Sequence, residues 1–185
     1  MMFESVAQMI DALKPAVVAA GDKVQVAGEV SAAAIDRLAW TAAFGASPEI
    51  KGTARWLIRG IGAHKGVVPS SIHDLYVAIG RGQAGGFTVP AMNLRAMTYD
   101  TARAVFRAAI ALKAGAFILE IARSEIGYTE QRPHEYSAIL LAAALREGFI
   151  GPLFIQGDHV QVSMKKFAGP EREQELATLR DLTTE

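Results

Sequence analysis

The chain has 185 residues, 51% hydrophobic and 21% charged, with 19 basic and 19 acidic side chains and no cysteine. That length and apolar content suffice for one domain with a real core, and the charge balance provides no field to draw nucleic acid or an anionic membrane. Disulfides, thiolate metal sites and thiol nucleophiles are excluded, which leaves carboxylate, hydroxyl and histidine chemistry at His64, His73, His134 and His159.

The first stretch, MMFESVAQMIDALK, lacks the basic start and small-residue cleavage site of a signal peptide, and no apolar run approaches the roughly 20 residues of a membrane span. A soluble, cytoplasmic protein is therefore expected. Phe3, Val6, Met9, Ile10 and Leu13 recur at helical steps, and Pro15 closes this short amphipathic helix. VVAAGDKVQV has β-branched residues on both sides of Gly21-Asp22, a weak hairpin signal. A longer helix is predicted from about Glu29 to Phe44, with Val30, Ala34, Leu38 and Ala42 on one face. Ser47-Pro48-Glu49 reads as a cap, a first-turn proline and an early acid, and predicts a helix carrying Trp56, Leu57 and Ile61. VPSSIHDLYVAIGRG repeats that pattern, with a serine ahead of Ile72, Leu75, Tyr76 and Ile79 and glycines at its end. GRGQAGG lacks the Gly-Lys-Ser/Thr ending of a phosphate loop and precedes a strand, so it reads as a linker. Residues 1–82 are thus expected to form an N-terminal helical extension.

From residue 83 the periodicity changes. GFTVPAMNL is short and β-rich, TYDTARAVFRAAIALKAG is helical, and AFILEIA is a continuous apolar run suited to a strand buried on both faces. RPHEYSAILLAAALREGF is again helical, GPLFIQGD is strand-like, and GPEREQELATLRDLTTE opens a charged helix. Three strand-helix cycles predict right-handed βαβ units in a parallel sheet, so the fold class is α/β. Three such strands would leave hydrophobic edges open, and a (β/α)8 barrel needs eight strands in about 250 residues. The expectation is the first three units of such a barrel over residues 83–185, completed by further chain.

Active groups of parallel sheets lie at the carboxyl ends of the strands. The three predicted strands end in Asn93, in Glu120 followed by Arg123, Ser124 and Glu125, and in Gln156, Asp158 and His159. A neutral imidazole suits Zn²⁺, and a carboxylate beside it can move a proton. Plainer roles exist for each. Asn93 can cap a helix or hold a turn, and Glu120 is costly in an apolar strand unless paired, with Arg123 or Arg132 as candidate partners. SEIGYTEQRPHEY reads as a long polar loop, with His134 at the surface; His64 and His73 are assigned to packing or solvent contact.

VPAMNL followed by a helix, GAFILEI and then PLFIQGDHVQ together resemble the opening of the class II, metal-dependent fructose-bisphosphate and ketose-bisphosphate aldolases. The likeness spans residues 85–182, about half the chain. It implies that Asp158 is the proton-transfer carboxylate, that His159 is the first ligand of Zn²⁺ or another divalent metal, and that Asn93 lines the substrate site. Where the family commonly has a serine on its second strand this chain has Ala122, with Ser124 two residues on as the substrate-binding candidate. Val160 stands where cysteine is frequent, and the remaining ligands, a glutamate and two histidines on later strands, have no counterpart here. The resemblance implies the N-terminal portion of an aldolase-like lyase acting on a sugar phosphate, inactive by itself and forming homo-oligomers. Two alternatives stay open: a non-catalytic accessory subunit of a sugar-phosphate aldolase, with which QGDH also shares Gly157, and a helical interaction module on an α/β scaffold.

Overall fold

The computed structural model describes residues 2–185, and three serines start its first three helices. The Oγ atoms of Ser5, Ser31 and Ser47 accept the backbone N–H three residues on, at 3.1, 3.2 and 3.2 Å, each satisfying one donor that a helix start leaves open. These helices are α1 (Val6–Leu13), α2 (Ala32–Phe44) and α3 (Pro48–Lys65). Gly66 ends α3 at φ +78, a left-handed cap that glycine adopts without strain. Between α1 and α2, β1 (Val17–Ala20) and β2 (Lys23–Val26) pair antiparallel around the expected Gly21-Asp22 turn. The hairpin lies so close on α3 that a Cβ added at Gly60 would stand 2.4 Å from Val24 Cβ.

The remaining elements are β3 (Val67–Ser70), α4 (His73–Gly80), β4 (Ala91–Asn93), α5 (Thr98–Leu112), β5 (Ile118–Ala122), α6 (Arg123–Thr129), α7 (Pro133–Glu147), β6 (Gly151–Asp158), α8 (Met164–Phe167) and α9 (Arg172–Thr184). The three expected strands form, and a fourth joins them: the sheet is parallel throughout, in the order β3-β6-β5-β4. β3 lies inside residues 1–82, read from sequence as a helical extension, and its register runs from Val67 opposite Gly151 to Ser70 opposite Phe154. Four residues are too few to show an alternating pattern, and Pro69, which lacks a donor, suits an edge strand. The two sequence segments therefore share one sheet, and the edge of β6 predicted to be open is covered by β3.

Strand residues alternate between two environments. On one face Val67, Leu119, Ile121 and Leu153 belong to the main hydrophobic cluster with residues of α5 and α7. α7 is the central helix, packed against α2, α3, α5 and β3. Ala138 through Ala144 of α7 are all buried, and four alanines among them let neighbouring helices approach on every side. At the amino ends of the strands Phe106, Phe117 and Phe149 form a triad with ring centroids 5.1 to 5.9 Å apart, closing that end of the core.

The opposite face is only partly covered. Val68 is 46% exposed and Gln156 is exposed, while Asn93, Phe154 and Asp158 are half-buried. α4 forms as expected, with Ser71 Oγ accepting the His73 N–H at 3.1 Å, but none of its residues is buried. An open cavity of about 430 Å³, lined by Ser70, Ile72, Phe154 and Gln156 among others, lies on this face. No described helix is long and apolar enough to cross a membrane.

The contact between Gly60 and Val24 makes a specific demand on packing. Gly60→Ala should destabilise the fold by about 1–3 kcal/mol through overpacking, and adding Val24→Gly, which removes the crowding Cβ, should cost less than the sum of the two single changes. Denaturant midpoints of the three variants check this coupling.

Candidate functional site

The parallel register places Asn93, Glu120 and Gln156 in one row across β4, β5 and β6, with Ala122 opposite Asp158 one step further along. Side chains two apart share a face, so Asn93, Glu120, Gln156 and Asp158 all project from the partly open side of the sheet. Asn93 is the link among them. Its Nδ2 donates to Asp158 Oδ2 and to Glu125 Oε2, both at 3.0 Å, so each of its two amide hydrogens serves one carboxylate. The helix-cap role of Asn93 falls away: the residue that caps α5 is Met97, which has φ +48 and makes no side-chain cap hydrogen bond.

Glu125 arrives from α6, which begins directly after β5. Its Oε2 also accepts the Ala122 N–H at 2.9 Å, and its Oε1 lies 3.1 Å from Arg95 Nε. The Ala122 hydrogen bond, with help from Asn93 and Arg95 and against burial, holds the Glu125 carboxyl below the usual carboxylate range. Glu125 stands among the polar residues expected after the second strand, but its place on a helix was not foreseen because SEIGYTEQRPHEY reads as a polar loop. Residues 123–129 are helical instead, Ile126 is buried, and only Glu130 to Arg132 connect α6 to α7. The legible signal was a glutamate three residues into a helix, where its side chain can fold back on the starting N–H.

Glu120 is in the opposite condition. It is 7% exposed and takes one side-chain hydrogen bond, from Gln156 Nε2 at 3.2 Å. Burial first, then the charges of Asp158 and Glu125, push its carboxyl upward. The arginines expected to pair with it go elsewhere: Arg132 Nε donates to Glu185 at 2.8 Å, and Arg123 makes a two-point contact with Glu175 at 2.6 and 3.2 Å. Both are drawn to carboxylates beyond the sheet. The main chain of Glu120 is anchored independently, its carbonyl accepting Tyr136 Oη–H at 2.7 Å and the Leu94 N–H at 3.1 Å.

Asp158 ends β6, and His159 turns away from the strand at φ +49, a left-handed conformation that histidine adopts more readily than most residues. That turn brings both side chains to the same rim, with His159 Nε2 3.6 Å from Asp158 Oδ1. The imidazole is 73% exposed. Ser124 lies exposed in the first turn of α6 and makes no hydrogen bond to Asn93 or Asp158. His64 and His73 are exposed, and His134 is half-buried, 3.8 Å from Glu185. No buried side-chain nitrogen or oxygen among the described residues lacks a partner. An apolar cavity of about 410 Å³ lies beside this cluster, lined by Trp40, Phe44, Tyr99 and Arg95 among others, and its polar wall of Thr98, Gln131 and Glu135 is mutually hydrogen-bonded.

A metal site needs three or four protein ligands. Among the described residues no three histidine or carboxylate side chains converge in that way.

Fold and site together define an α/β protein with a carboxylate-asparagine cluster at the carboxyl edge of a parallel sheet. The chain matches no family model, no curated protein and no solved structure in comparisons with each.

Two measurements test the cluster. Asn93→Asp exchanges the bridging donor for another carboxylate and should cost about 3 kcal/mol at pH 7, with the loss shrinking toward pH 4 as the introduced carboxyl, crowded by its neighbours, takes up a proton; urea unfolding at both pH values reads it. The second concerns Glu175, which the Arg123 hydrogen bonds and then the Ser163 N–H hold down from 4.5 to about 2. A carboxyl lowered on folding stabilises the native state above its unfolded value, and that contribution is lost as pH falls through the folded value. Acid unfolding of the wild type should therefore steepen between pH 4.5 and about 2, and Glu175→Gln should flatten that limb.

Proposed function

We propose that the strand-end cluster is the proton-handling part of an aldolase-like lyase that makes or breaks a carbon-carbon bond in a ketose phosphate, as the resemblance to class II aldolases implies. The observation that carries this reading is the Asn93 bridge, which holds Asp158 at the carboxyl ends of three adjacent parallel strands, where enzymes of this architecture place their reacting groups.

In this reading β4, β5 and β6, with the helices that follow them, are the first three units of a (β/α)8 barrel, and the polar face of the sheet is its interior. A fourth barrel strand would pair with the outer edge of β6. β3 holds that edge here and would have to yield it. Asp158 exchanges the proton of the hydroxyl that becomes the aldehyde carbonyl. Asn93 fixes the carboxylate through Oδ2 and leaves Oδ1 on the His159 side. Ser124, exposed in the first turn of α6, serves as a substrate contact in this reading. His159 would be one ligand of a divalent ion such as Zn²⁺, whose other ligands would have to come from polypeptide outside these residues.

A second reading is favoured by the donor set itself. One imidazole and one carboxylate at the rim suit a non-catalytic accessory subunit of a sugar-phosphate aldolase as well as they suit a fragment of the enzyme. Metal content and retro-aldol cleavage of ketose bisphosphates by the complete gene product separate the two. The lyase reading expects bound divalent metal and a fall of about 10²- to 10⁴-fold in kcat for Asp158→Ala. A product that binds no divalent metal and cleaves no ketose bisphosphate transfers the assignment to the accessory subunit.

A further inference from the structure

Residues 159–163, between β6 and α8, have no regular secondary structure, and they carry the histidine of the candidate site. Their path is closely constrained at its start. A Cβ added at Gly157 would meet Val160 Cγ2 at 2.8 Å, so the glycine lets Val160 fold back against the strand. The Gln161 N–H then donates to the His159 carbonyl at 3.0 Å, closing a tight turn about Val160.

Beyond that turn the segment is held by one ion pair. Arg123 Nη1 donates to the Gln161 carbonyl at 2.7 Å and to Glu175 Oε1 at 2.6 Å, while Nη2 reaches Glu175 Oε2 at 3.2 Å. Glu175 Oε1 in turn accepts the Ser163 N–H at 2.8 Å. The pair therefore grips the main chain at both Gln161 and Ser163, whatever side chains the segment carries. Lys166 Nζ, 3.9 Å from Glu175 Oε2, is the other cation facing that carboxylate. The Glu175 side chain is 1% exposed and that of Arg123 is 25% exposed, so solvent and salt screen the pair little. A bidentate guanidinium-carboxylate contact in such a place is geometrically specific, unlike an exposed pair.

We infer that Arg123 and Glu175 are positioning residues whose pair sets the direction of the Asp158-His159 turn. Arg123 is the first residue after β5 and opens α6, and Glu175 lies in α9, so the latch ties the helix that follows one strand end to the loop that follows the next. Attachment of α9 alone would need neither the Gln161 carbonyl nor the Ser163 N–H. The functional meaning of this latch rests on the reading of Asp158 and His159 as a reacting pair.

The test compares Glu175→Gln and Arg123→Gln with wild type by amide hydrogen exchange and by the backbone chemical shifts of His159, which report its left-handed conformation. Exchange at Gln161 to Ser163 should rise by about tenfold or more, the factor that 1.4 kcal/mol represents, while amides of α7 keep their protection. The His159 shifts should move toward averaged values. Arg123→Lys, which can still pair with Glu175 but lacks the fork to reach Gln161 as well, should fall between wild type and Arg123→Gln and guards against a variant that fails to fold. Unchanged exchange and unchanged His159 shifts in both glutamine variants would overturn the inference, as would loosening of the loop only in step with α7. The functional reading fails separately: a complete gene product without retro-aldol activity, but with a loop that loosens as described, refutes the lyase and leaves the latch standing.

Discussion

Two carboxylates from different elements, Asp158 of β6 and Glu125 of α6, meet on one amide nitrogen, that of Asn93 in β4. Everything at the carboxyl edge of the sheet depends on this arrangement. Like charges drawn together on a partly buried surface repel, and they stay together only where donors hold each one. Asn93 provides both donors from one rigid planar group, so it fixes the spacing of the carboxylates as well as neutralising part of their repulsion. Because its partners come from the following strand-helix junction and from the next strand, the bridge also reports that β4, β5 and β6 are in register.

That register is in turn a consequence of the core. β5 is buried along its whole length, and its Leu119 and Ile121 face the helices while Ile118, Glu120 and Ala122 face the other way. A slip by one residue would exchange these sets and place Glu120 in the hydrophobic cluster, at a cost no local contact could offset. The main chain of Glu120 is held besides by Tyr136, a fully buried side chain of the central helix. The same packing that excludes water from one face of the sheet therefore aims the polar row at the other.

Much of this was legible in the sequence where one local rule was enough. Ser47 announced its helix, Gly148 ended another, and the apolar runs at 118–122 and 151–158 read as strands, whereas the helix expected from about Glu29 starts only after the Ser31 cap. The strand-end set of Asn93, Asp158 and His159 could be assembled because a parallel sheet brings carboxyl ends together. What failed to show depended on partners distant in sequence. β3 is a strand only because β6 lies beside it; by itself Val67–Ser70 is too short to declare a period. Glu125 was named at the second strand end but its role was not, because its polar neighbours suggested a loop while its contacts are the Ala122 N–H and Asn93. Arg123 was assigned the nearest buried acid in sequence, Glu120, when the fold presents it with Glu175, 52 residues away.

The site holds its acids in different states. Glu125, given a backbone N–H, the Asn93 amide and Arg95, is stabilised as an anion; Glu120, buried with only a glutamine amide, is pushed toward its neutral form. Pairs of carboxyls driven apart in this way are how folds divide acid and base roles between chemically similar groups. Asp158 is half-buried at the rim, with one oxygen bound by Asn93 and the other toward the exposed imidazole, so the Asn93 bridge decides which of its oxygens faces the open side.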